Sequence, residues 1–246
     1  MPYIFFQFRR KLQENLLTLK IGFDTMKPEY RKPQPAFAVR ADGEKPEGEK
    51  MKIYDISQEV FTCGVYPGDP APQRQVLSAT AAGDLYNLTA FSMCAHNGTH
   101  VDAPFHFLPE GDTIDRMELD IFVGECFAAR HEGNVNAADA RAILEKAQGA
   151  ERILIGGAAT VTAEAAEVFA AGGIRLLGNE SQSVGPENAP MAVHKILLSR
   201  GIALLEGIVL TDVPEGHYFL SAAPLNLAGA DGAPCRAYLI ETQEKM

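Results

Sequence analysis

Tryptophan is absent from the 246 residues, so any aromatic wall of a ligand pocket must be built from Tyr, Phe or His. Cysteine is sparse. Cys63, Cys94, Cys126 and Cys235 show no CxxC spacing, which excludes the usual redox and cysteine–zinc patterns and leaves four reduced thiols, as expected of a cytoplasmic protein. Positive charge is in deficit, with 22 Lys or Arg against 32 Asp or Glu and a net charge of −10. Phosphate binding needs clustered Lys and Arg, so nucleic acid is excluded as a partner. Long apolar runs are missing too. The patch Tyr3-Ile4-Phe5-Phe6 precedes Arg9-Arg10-Lys11, the reverse of a secretory signal, and falls far short of the ~20 residues of a membrane span. Neither export nor a membrane anchor is expected.

Two catalytic signatures are also absent. Gly156-Gly157 lacks both the GxGxxG spacing and the GKS/T of a phosphate loop, so it reads as a tight turn. No GxSxG elbow surrounds Ser181-Gln182-Ser183 beside Glu180, and this segment reads as a pocket loop or helix cap.

What is present suits a soluble α/β protein with one substantial core, since 46% of the residues are hydrophobic and 22% charged. Residues 1–50 stand apart. They hold ten Lys or Arg against seven Asp or Glu, whereas the rest holds twelve against twenty-five. Residues 41–50 form a charged Gly/Pro run that cannot bury enough apolar area to order itself and reads as a linker. The expected division is an extension over residues 1–50 and a single domain over residues 51–246.

Within that domain the spacing predicts strands at Lys52–Ser57, Arg152–Ile155, Arg175–Leu177, Ala203–Leu210, His217–Leu220 and Cys235–Glu241. Helices are expected between them. Asn136 caps Ala137–Gln148, Thr162 caps Ala163–Ala171, and a third helix runs from about Pro190 to Arg200 and ends at Gly201. His194 and Glu206 then lie on consecutive elements. Glu206 interrupts the apolar run from Ile202 to Leu210, where an unpaired charge is expensive and a cation would be its natural partner.

The chemistry concentrates in His96-Asn97-Gly98-Thr99-His100-Val101-Asp102-Ala103-Pro104-Phe105-His106, which holds three of the six histidines. Imidazole and carboxylate together suit a borderline divalent ion such as zinc or manganese. Gly98 and Pro104 argue against a plain HExxH helix and for a turn or broken helix at the end of a strand, folded around a metal. Cys94 is close enough in sequence to add a contact, although a buried thiol is the plainer reading.

The run HNGTHVDAPFH resembles the signature of the metal-dependent cyclase family, which includes bacterial kynurenine formamidases and isatin hydrolases. Tyr66-Pro67-Gly68-Asp69-Pro70, His194–Leu198 with Leu205-Glu206-Gly207, Pro224-Leu225 and Gly232–Ala237 resemble further blocks of that family, in the same order. The resemblance spans about Lys52 to Glu241, so Met51 is expected to be the natural start. It implies an α/β fold with a mixed β-sheet core and flanking helices, of the swivelling β/β/α kind. It also implies two zinc ions per subunit, with manganese as the alternative. His96, His100 and Asp102 would hold the first ion; Asp102 would be shared with a second held by His194 and Glu206.

His106 would then be the proton shuttle and Tyr66 a pocket residue. In the formamidases the position of Tyr66 is usually Trp, which leaves the substrate the loosest part of the transfer. The residue type of His106 also suits a third ligand to the first ion. A divalent ion activates water and polarises a carbonyl, and the leaving nitrogen still needs a proton donor. The implied reaction is hydrolysis of a C–N bond in a small amide, aryl formamide or cyclic amide by a cytoplasmic homodimer or higher homo-oligomer. The alternatives are hydrolysis or dehydration of another small carbonyl compound, and a binding protein without turnover.

Overall fold

A computed structural model describes residues 51–241. The expected extension over residues 1–50, its linker and the start at Met51 fall on or against residues outside that range. The strands in chain order are β1 Ile53–Asp55, β2 Gln73–Ser78, β3 Leu88–Ser92, β4 His100–Asp102, β5 Val123–Arg130, β6 Gly133–Val135 and β7 Arg152–Gly156. They continue as β8 Ala159–Val161, β9 Leu176–Asn179, β10 Ala203–Glu206, β11 Gly216–Ser221, β12 Gly232–Pro234 and β13 Tyr238–Glu241. Among the described residues three helices accompany them: α1 Ala137–Ala147, α2 Ala163–Ala171 and α3 Met191–Leu198.

Nine strands form one mixed sheet in the order β1-β13-β11-β5-β7-β9-β10-β4-β12. Its centre, β5-β7-β9-β10, is parallel, and both flanks are antiparallel. Parallel strands are normally covered on both faces and therefore read as continuous apolar runs, as β7, with all five residues buried, does. Alternation divides the core. Ile153 and Ile155 join a cluster with Phe169 of α2 and Leu197 of α3, whereas Leu154 points to the opposite cluster with Leu176, Leu205 and Leu220.

The helix starts follow from their caps. Asn136 accepts from the backbone N–H groups of Ala138 and Asp139, and the Asp139 carboxylate accepts in return from Asn136 N–H, a reciprocal capping box. Thr162 Oγ1 accepts from Ala165 N–H at 3.2 Å. α1 packs on α2 and α2 on α3, so the helices lie together over one face of the sheet.

Three sequence expectations shift. The eleven-residue histidine run is neither a simple turn nor a broken helix, because its middle, His100–Asp102, is a strand hydrogen-bonded to β10 on one edge and β12 on the other. Those partners lie more than a hundred residues away, and local pattern carries no trace of them. The strand predicted over Ala203–Leu210 ends at Glu206, where Gly207 turns the chain with φ +65°. The final predicted strand begins only at Tyr238; Gly232–Pro234 instead forms the separate edge strand β12.

Candidate metal centre

Register places the acidic and imidazole groups on one face. Glu206 pairs with His100 and Leu204 with Asp102 across β10 and β4, while Leu205 pairs with Val101. Side chains alternate along a strand. Leu205 and Val101 face the core away from the helices, and Leu204 belongs to the helix-side core. His100, Asp102 and Glu206 therefore point toward the helices, where His194 on α3 completes the group. His194 and Glu206 meet between a helix and the sheet, not across the sheet.

Two glycines permit this approach. Gly98 has φ +62°, and a Cβ there would lie 2.7 Å from Cys63 Cβ. A Cβ on Gly207 would lie 2.2 Å from Gly98 O. Thr99 ties the two turns together, donating from Oγ1 to Gly207 O at 2.6 Å and accepting from Gln58 N–H at 2.9 Å.

His100, Asp102, His194 and Glu206 are each at most 3% exposed. Nε2 of His100 lies 3.4 Å from Asp102 Oδ1 and 3.6 Å from Glu206 Oε2. Nε2 of His194 lies 3.5 Å from Asp102 Oδ2 and 3.2 Å from Glu206 Oε1. Nδ1 of each ring faces a backbone carbonyl at 2.9 Å, Gly98 O for His100 and Pro190 O for His194. A carbonyl only accepts, so Nδ1 carries hydrogen in both rings and Nε2 is the nitrogen turned to the carboxylates. Without a cation, two nitrogen lone pairs would confront two buried carboxylates, which is unfavourable.

A proton on each ring is one remedy, and the rings are tuned for it. Burial alone would lower His100, but hydrogen bonds and charge from Asp102 and Glu206 outweigh it and carry its pKa to about 10. His194, opposed by burial and favoured by the same two carboxylates, also reaches about 10. Burial would raise Asp102, yet its three histidine neighbours hold it well below the ordinary carboxylate range. A metal ion is the other remedy. The edge of a tetrahedron with metal–ligand bonds of 2.0–2.1 Å is about 3.3 Å, which is the scale of the four nitrogen–oxygen separations. The donor set fits a divalent ion.

His96 extends the group toward solvent. Its Nδ1 lies 2.8 Å from Asp102 Oδ1, and its Nε2 lies 3.0 Å from Asp231 Oδ2. Burial would lower its pKa, but Asp102 and Asp231 leave it raised. His106, on the 3-10 turn Pro104–His106 that follows β4, stacks on His96 with ring centroids 4.1 Å apart. Among the described residues, two sets of donors can each converge on an ion: His100, Asp102 and Glu206, and His96, Asp102 and His106. Asp102 belongs to both. The first set expected from sequence, His96, His100 and Asp102, meets at Asp102 Oδ1, 2.8 Å from His96 Nδ1 and 3.4 Å from His100 Nε2, and His106 stands beside His96.

Tyr66 lies elsewhere. Its hydroxyl donates to Glu187 O at 2.8 Å, and it lines a cavity of about 360 Å³ with Thr160, Gln182, Ser183 and Glu187. The loop between β9 and α3 links that cavity to the buried carboxylates: Ser183 lines the cavity, and the adjacent Val184 N–H donates to Glu206 Oε1 at 2.7 Å. Ser181 donates to Ser183 O and accepts from Asn179 Nδ2, as a loop residue would. Cys94 lies 3.7 Å from the Asp69 carboxylate, and burial pushes Cys126 and Cys235 up to about 12, so neither of those two is a nucleophile.

Asp231 is the site residue that sequence reasoning missed. The available signal was an acid within the otherwise small, apolar run Leu227–Pro234.

Fold and site together define an α/β protein with a histidine- and carboxylate-lined cluster at one sheet flank that can hold a divalent metal. The chain matches the model of the Cyclase family over residues 17–186, and it belongs to that family. It is 34% identical over 209 residues to the kynurenine formamidase of Erythrobacter litoralis, spanning 78% of this chain and 95% of that protein. It is equally 34% identical to the kynurenine formamidase of Sphingopyxis alaskensis, over 77% of this chain and 98% of the other. A solved structure described as a "potential metal-dependent hydrolase with cyclase activity" superposes with a TM-score of 0.68 at 30% identity, covering 79% of this chain and all of that one. Isatin hydrolase A from Labrenzia aggregata shares the fold, with a TM-score of 0.68 at 21% identity over 78% and 94% of the two chains.

Proposed function

We propose that this protein is a metal-dependent amide hydrolase that opens the C–N bond of a small aryl formamide, with N-formylkynurenine as the reference substrate and small cyclic amides as the neighbouring class. The observation that carries this reading is the set of four Nε2-to-carboxylate separations of 3.2–3.6 Å between groups whose tautomers are fixed from behind. Kinship with two formamidases along nearly their whole length supports the choice of amide.

The buried set His100, Asp102, Glu206 and His194 supports one ion, and His96, 2.8 Å from Asp102 on the solvent side, supports a second that shares Asp102. Imidazole with carboxylate suits zinc, with manganese the alternative. When bound, a divalent ion activates water and polarises the amide carbonyl. The remaining work belongs to side chains. Asp102 and Glu206 supply the buried negative charge, and His96, His100 and His194 complete the donor set. His106, 26% exposed at its side chain, stands at the solvent edge of the cluster. There it can hand a proton to the leaving nitrogen. Tyr66 forms part of the cavity wall that receives the substrate's aromatic body. The four free thiols and the net charge of −10 support a cytoplasmic enzyme with no nucleic-acid partner, and we place it in a homodimer.

The test is turnover of N-formylkynurenine beside a panel of aryl formamides and lactams, before and after chelation. Chelator-sensitive hydrolysis of a formamide is expected. Bound metal with no hydrolysis of any amide would overturn the assignment.

A further inference from the structure

We propose that Asp231 is a positioning residue that sets the tautomer and orientation of His96 and His106 together; this rests on reading those rings as ligand and proton carrier. One oxygen does both jobs. Asp231 Oδ2 lies 3.0 Å from His96 Nε2 and 3.3 Å from His106 Nδ1, and the two rings stack at an interplanar angle of 32°. An ionised carboxylate only accepts, so each of those nitrogens must carry hydrogen. The opposite nitrogens then have set roles. His96 Nδ1, 2.8 Å from Asp102 Oδ1, is the position at which a cation would displace a proton, and His106 keeps Nε2 to take up and deliver a proton. Carboxylate–histidine pairs behind a metal ligand act in this way, fixing the ring and raising its basicity.

The backbone holds Asp231 in place for this task. Its carbonyl accepts from Ala103 N–H at 2.9 Å, next to Asp102 and Pro104. Gly232, which follows it, pairs with Asp102 across β12 and β4. A Cβ on Gly232 would lie 2.8 Å from His96 Cε1, so a side chain there would push the ring off the carboxylate. Asp231 is 44% exposed at its side chain, and its anchoring is through the main chain, so truncation should leave the fold intact.

The test uses Asp231→Ala and Asp231→Asn in the full chain. Long-range proton–nitrogen spectra of the metal-free protein read the tautomers directly. Wild type should show His106 protonated at Nδ1, and His96 protonated at Nε2 in addition to the Nδ1 that faces Asp102; D231A should lose the His96 Nε2 and His106 Nδ1 protonation, and D231N, which keeps an acceptor oxygen, should retain it. Zinc affinity measured by chelator competition should fall roughly 10- to 100-fold in D231A and less in D231N, with kcat lowered more than KM is raised. Unchanged tautomers and zinc affinity in D231A would overturn the proposal. A wild-type protein that binds no zinc would instead defeat the metal reading, and the ring spectra would still decide the role of Asp231.

Discussion

Asp102 touches three imidazoles at once, Nδ1 of His96 and Nε2 of His100 and His194, and it is 1% exposed. Neutralising it removes the shared anchor of both donor sets. Asp102→Asn should lower bound metal by on the order of 10²-fold or more, beyond the usual cost of an outer-shell change, as metal analysis after dialysis would show. His106→Ala separates the two roles open to that ring. Turnover should fall by roughly 10²- to 10⁴-fold with metal content retained, the range for loss of a general acid; loss of metal would make His106 a ligand.

The pKa shifts carry a further consequence at this scale. His100 and His194 sit at about 10 in the folded chain against 6.5 for free imidazole. A folded pKa above the unfolded one stabilises the fold fully below pH 6.5, and that stabilisation is lost as pH rises through about 10. Chelated protein should therefore melt lower at pH 9 than at pH 6.5. With metal present the trend reverses, because protons and the ion compete for the same nitrogens. Thermal melts at the two pH values, with and without zinc, check both signs.

At the scale of elements, the site depends on the register between β4 and β10 and on two turns that meet. Gly207→Ala would force a side chain onto a φ of +65° and against Gly98 O. It should cost about 1–3 kcal/mol and reduce metal content in chemical denaturation and metal assays. Asn136→Ala is the contrast: it removes the α1 cap, should cost ~1 kcal/mol, and should leave metal content unchanged.

The same scale shows what could be read from sequence. The caps Asn136 and Thr162, the apolar strand Arg152–Ile155 and the cluster His96, His100 and Asp102 were legible, because a cap, an apolar run and a dense ligand motif are each local. The strand at His100–Asp102 was not legible, since its hydrogen bonds come from β10 and β12. Glu206 stood out only as a charge in an apolar run. Asp231 stood out less, since its partners lie 125 and 135 residues away in sequence.

At the scale of the molecule, a sheet covered on both faces by separate cores is a rigid frame. The proposed site lies where its parallel centre gives way to the antiparallel flank at β10 and β4. No helix among the described residues is long and apolar enough to cross a membrane. The proposed homodimer is checked by light scattering at low and high protein concentration; a single species of about twice the 26.6 kDa chain mass is expected.

Metal dependence is tested most directly by stripping the protein with a chelator, titrating it with zinc, and following bound metal and N-formylkynurenine hydrolysis in the same sample. A metal-dependent hydrolase should show negligible hydrolysis when stripped and activity that rises with occupancy until the buried donor set is filled. Undiminished hydrolysis without metal, or full occupancy without hydrolysis, would contradict this reading.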